Sequence, residues 1–315
     1  MSTFKCFASL VLAAIVVPLL SAKSQCPGNV ASLPFRNANR DQIIVAVSVN
    51  HSGPYKFLLD TGSQVTIVDT SLAASLHLSA QGEAQVAGVG FHQPASIAQV
   101  ELLEAGSHAV ANQKVMVYSL QNLHSADLDI QGVLGEDFLA HFDVLIDNEH
   151  RLLCLDDSAT LREAVKGIHI ALADSAHGED AAQSGLLIVE ARLSDGMRPV
   201  RLVLDSGANA PFLYNAPQCM YNATLYIALH LLQHTKFRGS GLNGEPRSIS
   251  DLPAQGLKIG SLRLSKVKFL TIDVAHNSAR SGEFDGLLTL GLFRRVFIDH
   301  VDRFVVLEPR KEYEF

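Results

Sequence analysis

The stretch FLLDTGS (Phe57–Ser63) is an apolar run that stops on a carboxylate, with a hydroxyl residue and a glycine directly behind it. Desolvating a charge at the end of a buried strand is costly. Asp60 therefore either turns out to solvent or is held where an altered acidity is useful. A single Asp-Thr-Gly is an ordinary turn, in which the aspartate caps the bend and glycine supplies a positive φ. The reading changes because the second half of the chain repeats it: LVLDSGA (Leu202–Ala208) is again an apolar run ending in Asp-hydroxyl-Gly.

The repeat extends well beyond the tetrapeptides. VAVSVNHSGPYKFLLDTGS (Val45–Ser63) and LIVEARLSDGMRPVRLVLDSGA (Leu187–Ala208) each read as strand, glycine-containing turn and strand. Downstream, IQGVLGEDFLAHFDVLIDNEHRLLCLD (Ile130–Asp156) has its counterpart in FDGLLTLGLFRRVFIDHVDRFVVLEP (Phe284–Pro309), with Gly132 matching Gly286 and VLID matching VFID. Short β-runs separated by turn residues fill most of the chain, and helical periodicity is scarce. Thr70–Leu78 and Ala223–Phe237 are the two helix candidates. The expected organisation is a signal peptide over 1–24, a first lobe over 25–165, a linker over 166–185 and a second lobe over 186–315.

Composition bounds the function. The 315 residues are 48% hydrophobic and 18% charged, as in an ordered globular protein. Acidic side chains outnumber basic ones, 32 to 25, and no long basic cluster occurs, which argues against a nucleic-acid partner. MSTFK followed by the apolar stretch Cys6–Leu20 and then small residues reads as a secretory signal. That stretch is about 15 residues where ~20 are needed to span a bilayer, so no stable membrane anchor is expected. A secreted or periplasmic location follows from this reading. Cys26, Cys154 and Cys219 remain after Cys6 leaves with the signal, an odd number that fits one free thiol, an intermolecular bridge or no bridge at all.

Two homologous halves can pack about a pseudo-twofold axis, bringing equivalent residues face to face. Asp60 and Asp205 would then meet. Two close carboxylates do not readily both ionise, so they share a proton. The ionised member can draw a proton from water while the protonated member hydrogen-bonds the carbonyl under attack, which is hydrolysis without a metal or a covalent intermediate.

With these motifs in hand, LLDTGS and VLDSGAN resemble the paired signature of the aspartic proteases. The tandem arrangement is similar to pepsin-like enzymes, and the short lobes and the DSGAN segment are similar to retropepsins. The resemblance covers Ile43 to Pro309. It implies a mostly β fold of two homologous acid-protease-like β-barrel lobes related by a pseudo-twofold axis, with an active-site cleft between them. It implies an endopeptidase acting on a protein or peptide substrate, as a monomer, without a cofactor or metal. Asp60 and Asp205 become the catalytic pair. Thr61 and Ser206 would bond to backbone across the lobe interface, and Gly62 and Gly207 would let the backbone approach. Ser63 would hydrogen-bond the outer oxygen of Asp60, a role closed to Ala208 at Asp205. Asn209 would contact substrate. The family's flap hairpin is expected at Val86–Gln93, with Gly90 and Phe91 near its tip.

Two departures stand out. The family's hydrophobic-hydrophobic-Gly element is met by Val133-Leu134-Gly135, but the second lobe has Leu287-Leu288-Thr289. The expected flap also carries no tyrosine. Both features favour a rival reading, a non-catalytic bilobal protein that binds peptide in its cleft. A third reading pairs each half with another chain; it is less economical, because the linker already holds two unlike halves together. GSGLNG (Gly239–Gly244) lacks the helix that a dinucleotide fingerprint needs. His230 and His234 share a helical face without the glutamate of a zinc-protease motif. Asn50 and Asn222 head glycosylation sequons, which matter only in a eukaryotic source.

Overall fold

A computed structural model of the chain describes residues 26–39, 41–88, 91–123, 129–174, 185–193, 199–214, 236–240, 246–272 and 284–314. Among these residues the strands form three sheets. The first-lobe sheet runs in the order Arg36–Ala38, Gln42–Val49, Ser52–Leu59, Gly132–Leu134, Ile67–Asp69, His108–Tyr118, Phe91–Ala105, Ala80–Gly88. The second-lobe sheet centres on Phe212–Tyr214, Gly286–Thr289, Val200–Asp205 and Ile188–Arg192 in that order. The third sheet joins the lobes and runs Ser32–Pro34, Leu152–Asp156, Asp143–Asp147, Phe293–Asp299, Phe304–Pro309, Ile170–Ala171.

The register shows why the repeat matters. In the first lobe Leu58 pairs with Val133 and Leu59 with Leu134, in parallel. In the second, Val203 pairs with Leu287 and Leu204 with Leu288, again in parallel. The two VLID-type strands pair antiparallel with each other: Val144 faces Ile298, Leu145 faces Phe297 and Ile146 faces Val296. Exchanging the two halves exchanges the first and last of these pairs and leaves Leu145–Phe297 in place. The pseudo-twofold axis therefore passes through that pair. Every residue of Asp143–Asp147 is buried, as expected of a strand covered on both faces.

Alternation sets the core elsewhere. Ile43, Val45, Val47 and Val49 point from one face of Gln42–Val49 into the main core, and Ile44 points from the other into a smaller cluster with Leu58, Val86, Leu120, Ile130 and Val133. The mostly β, two-lobed reading thus holds. Of the two helix candidates, the first forms over Thr70–Ser75, where Asp69 caps it by accepting from Ser71 N at 2.8 Å. The second lies outside the described residues up to 235, and Lys236–Ser240 is strand. The stretch read as linker is partly sheet: Ile170–Ala171 pairs with Val305 and Phe304, and Ala173 bridges Ile188. No helix among the described residues is long and apolar enough to cross a membrane. The signal segment, Cys219, Asn222 and the histidine pair at 230 and 234 lie outside the described residues.

Cys26 and Cys154 form a disulfide across a sequence separation of 128, tying the first described residue to the central sheet. A closure of that length restricts the unfolded chain, an effect of about 2–5 kcal/mol. Cys26→Ser should lower the unfolding free energy by that order. Chemical denaturation of the variant beside the oxidised protein measures it, and equal midpoints would mean that the bridge contributes nothing.

Candidate active site

Each half delivers its aspartate at the end of a strand. Asp60 follows Ser52–Leu59, its amide donating to Leu134 O at 3.0 Å. Asp205 closes Val200–Asp205 opposite Thr289. Behind each carboxylate the chain turns sharply, and backbone amides point back at it: Gly62 N donates to Asp60 Oδ1 at 2.9 Å, and Ala208 N donates to Asp205 Oδ1 at 2.8 Å.

The two turns are locked to each other by a reciprocal set of bonds. Thr61 Oγ1 donates to Leu204 O at 2.9 Å and accepts from Ser206 N at 3.1 Å. Ser206 Oγ donates to Leu59 O at 2.7 Å and accepts from Thr61 N at 3.1 Å. Both hydroxyls are almost wholly buried, 0% and 2% exposed, so each has spent its donor and one acceptor on the opposite lobe. The residues immediately before the two aspartates are thereby pinned across the axis.

The glycines then bring the carboxyls together. A Cβ on Gly62 would lie 2.7 Å from Asp205 Cγ, and one on Gly207 would lie 2.7 Å from Asp60 Cγ. No side chain fits at either place. Each carboxyl rests on the other lobe's turn, which sets the two beside each other across the axis. Burial pushes Asp60 well above the usual carboxylate range, and the neighbouring charge of Asp205 adds to it, against the opposing pull of the Gly62 amide. Burial also raises Asp205, opposed by the amides of Ala208 and Gly207 and by its bond to Asp60. The pair therefore holds a proton at pH values where isolated aspartates have lost theirs.

Some expected roles fall differently. Ser63 Oγ does not reach Asp60; it donates to Val65 O at 2.9 Å, stiffening its own turn. Ala208 supplies its amide to Asp205 in place of a hydroxyl. Asn209 is exposed just beyond the second turn. The expected flap is a hairpin: Ala80–Gly88 pairs with Phe91–Ala105, Gly88 lying opposite Phe91. Gly90 lies outside the described residues. A groove of about 800 Å³ runs along this hairpin, lined by Glu83, Ala84, Gln85, Pro94, Ala95 and Tyr118 among others. Asn50, the head of one sequon, accepts from the amides of Glu101 and Leu102 with its side-chain oxygen.

Thr289 resolves the missing glycine. In the first lobe a Cβ at Gly135 would lie 2.6 Å from Val65 C, so only glycine fits beneath that turn, and Glu136 N holds Ser63 O at 2.8 Å. In the second lobe the equivalent position leaves room for a side chain. Thr289 Oγ1 donates to Ala208 O at 2.6 Å, gripping the carbonyl that corresponds to Ser63 O, and accepts from Gly291 N at 3.2 Å. Sequence reasoning also missed Gln42, whose Nε2 donates to Gly207 O at 2.7 Å from the opposite lobe. Among the described residues, no group of three His, Cys, Asp or Glu side chains is arranged to hold a metal ion.

The model of an aspartyl protease family matches residues 45–138, the part of the first lobe that carries Asp60 and the hairpin of Ala80–Gly88 and Phe91–Ala105. The aspartic proteinase from Irpex lacteus shares the fold, with a TM-score of 0.55 over 89% of this chain and 97% of that one, at 13% sequence identity. No curated protein sequence matches. Residues 45–138 thus resemble an aspartyl protease family, and the chain as a whole shares the fold of an aspartic proteinase.

The shared proton has a consequence for stability. A carboxyl with a raised folded-state pKa binds a proton that the unfolded chain releases above about pH 4. Its contribution to stability is complete below that pH and is lost as pH rises through the folded-state value. The stability difference between the native protein and the Asp60→Asn, Asp205→Asn double variant should therefore shift against the native protein as pH rises from about 4, at up to about 1.4 kcal/mol per pH unit for one proton. Denaturant melts of both proteins across that range measure the slope. A flat difference would mean that the pair holds no extra proton.

Proposed function

We propose that the protein is an aspartic endopeptidase in which Asp60 and Asp205 activate water between them. The observation that carries this reading is the meeting of two carboxyls from homologous turns, each set against the other lobe's glycine. The ionised member takes a proton from the attacking water. The protonated member donates its hydrogen bond to the scissile carbonyl oxygen, and the resulting tetrahedral diol collapses as a proton passes to the leaving nitrogen. Thr61 and Ser206 position the pair, while Gly62, Gly207 and the amides of Gly62 and Ala208 hold the carboxyl oxygens in place.

The substrate is an extended peptide. In this reading the Ala80–Gly88 and Phe91–Ala105 hairpin covers it, Gly90 and Phe91 contact it, and Asn209 meets it beyond the second turn. Short lobes and a DSGAN turn favour a retropepsin-like variant of the bilobal arrangement, working as a single chain. Export to a secreted or periplasmic location fits the apolar N-terminal stretch and the Cys26–Cys154 disulfide, since such bridges persist in oxidising compartments. The non-catalytic rival draws on Thr289 and on a flap without a tyrosine. The hydroxyl bond from Thr289 to Ala208 O bears on the first of these, because it supports the second turn by other means.

Hydrolysis of a denatured protein, followed from acid to neutral pH, tests the proposal. Activity should rise as one carboxyl ionises and fall as the second loses its proton, giving a bell. Asp60→Asn and Asp205→Asn should each lower turnover by more than about 100-fold. Activity that survives either substitution would overturn the mechanism. Peptide binding without hydrolysis at any pH would establish the rival.

A further inference from the structure

The two active-site turns are equivalent in sequence but are not braced in the same way. The first is braced from within its own lobe. Thr66 donates through N to Asp137 Oδ2 at 2.9 Å and through Oγ1 to Asp137 Oδ1 at 2.6 Å, and its hydroxyl accepts from Gly135 N at 3.2 Å. The strand register fixes the counterparts in the second lobe. Ile67 faces Val133 as Phe212 faces Leu287, so Thr66 corresponds to Pro211 and Asp137 to Gly291. Neither of these can make the bonds of the first lobe.

A turn of the first lobe stands in for them. The carboxyl of Asp41 occupies the space over Gly291, where a Cβ would lie 2.5 Å from Asp41 Cγ. Arg310 donates to Asp41 Oδ1 at 2.9 Å and holds it there. The next residue, Gln42, donates to Gly207 O at 2.7 Å, and Asn39 Nδ2 donates to Gln42 Oε1 at 2.9 Å, which fixes the amide the right way round. Thr289 then closes the circuit between Gly291 N and Ala208 O. Two successive carbonyls of the second turn, at Gly207 and Ala208, are thus each held by a side chain.

The converse contact has no donor. Ile43 faces Leu59, and Leu204 N donates to Leu187 O, so the second-lobe counterpart of Gln42 is Leu186. Leu186 is buried and apolar. Among the described residues, the lobe that keeps its glycine and its Thr66–Asp137 brace receives no such donor from across the axis, and the lobe that lacks both does.

We propose that Gln42 and Thr289 are positioning residues for Asp205, forming with Asp41 a brace supplied largely by the opposite lobe. The proposal rests on the reading of Asp60 and Asp205 as a working pair. It predicts that the second turn depends on two side-chain donors that can be removed without changing side-chain size. Gln42→Met removes one and Thr289→Val the other; Thr289→Ser keeps the hydroxyl.

Two measurements on the full mature chain keep this proposal separate from the proposed function. The first is hydrolysis of a denatured protein. Gln42→Met and Thr289→Val should each lower kcat by about tenfold or more, with KM within about twofold, because a small misplacement of a reacting group costs turnover. The second follows the titration of aspartate carboxyls by ¹³C resonance, with Asp60→Asn and Asp205→Asn as assignment standards, and needs no activity. Both variants should displace the titration of the pair. Thr289→Ser should restore it, and the double variant should depart from additivity because both donors act on one turn. Folded variants that keep the native kcat and the native carboxyl titration overturn the proposal. Should Thr289→Val fail to fold, Gln42→Met and Thr289→Ser decide: displacement in the first without the second supports the brace, and any other outcome rejects it. If hydrolysis survives Asp60→Asn while the titration still responds to Gln42→Met, the catalytic reading has failed and the brace stands.

Discussion

The exchange of hydroxyl bonds between Thr61 and Ser206 is the constraint on which the site depends. Four buried hydrogen bonds cross the axis, and they involve the two residues that follow the aspartates and the two that precede them. Each such bond contributes about 1 kcal/mol net, but leaving one partner unmet in the interior costs about 1–3 kcal/mol. The lattice is therefore more exacting than it is strong. It tolerates one relative placement of the lobes, and that placement sets each carboxyl against the other lobe's glycine.

From that placement the electrostatics follow. Two carboxyls set against each other and partly desolvated do not readily both carry charge, so their proton affinity rises, desolvation being the largest cause. The amides of Gly62 and Ala208 act in the opposite sense and keep an ionised form accessible. The desolvation outweighs the amides, and the net effect on each carboxyl is a raised proton affinity. The central sheet makes this affordable: its paired strands place the axis at Leu145 and Phe297, far from solvent, so lobe orientation is enforced by apolar packing as well as by the lattice.

Much of this was legible in the sequence, for a physical reason. Duplication turned a common turn into a paired one, so Asp60, Asp205 and the hydroxyl-glycine steps behind them announced themselves by repetition, and the VLID and VFID segments marked the strands that pair across the axis. What repetition cannot announce is a contact that breaks the symmetry. Asp41 and Gln42 lie in a polar turn with no motif, and their partners Gly291 and Gly207 are in the other lobe. Thr289 was visible but read as a loss, because the sequence shows a missing glycine and not the carbonyl its hydroxyl meets. Ser63 was misassigned for a related reason: rotation about one bond decides whether its hydroxyl faces Asp60 or Val65 O. Cys26 and Cys154 gave no spacing signal because the third cysteine left the pairing open.

The asymmetry also bears on how a duplicated site can diverge. Two identical halves must brace both turns alike, since any residue that supports one supports the other. Once the halves are joined, a change in one turn can be answered by a residue of the other half. The position beneath the second turn holds a side chain where the first lobe has glycine, and its hydroxyl makes the bond to Ala208 O. Losing the threonine–aspartate brace leaves a glycine at 291, and that glycine admits Asp41 from across the interface. The second turn has become dependent on the first lobe, whereas the first turn keeps its own support. Separating the lobes would therefore do more than split the carboxyl pair: it would take Asp41 and Gln42 from the turn that carries Asp205 and leave it Thr289 alone.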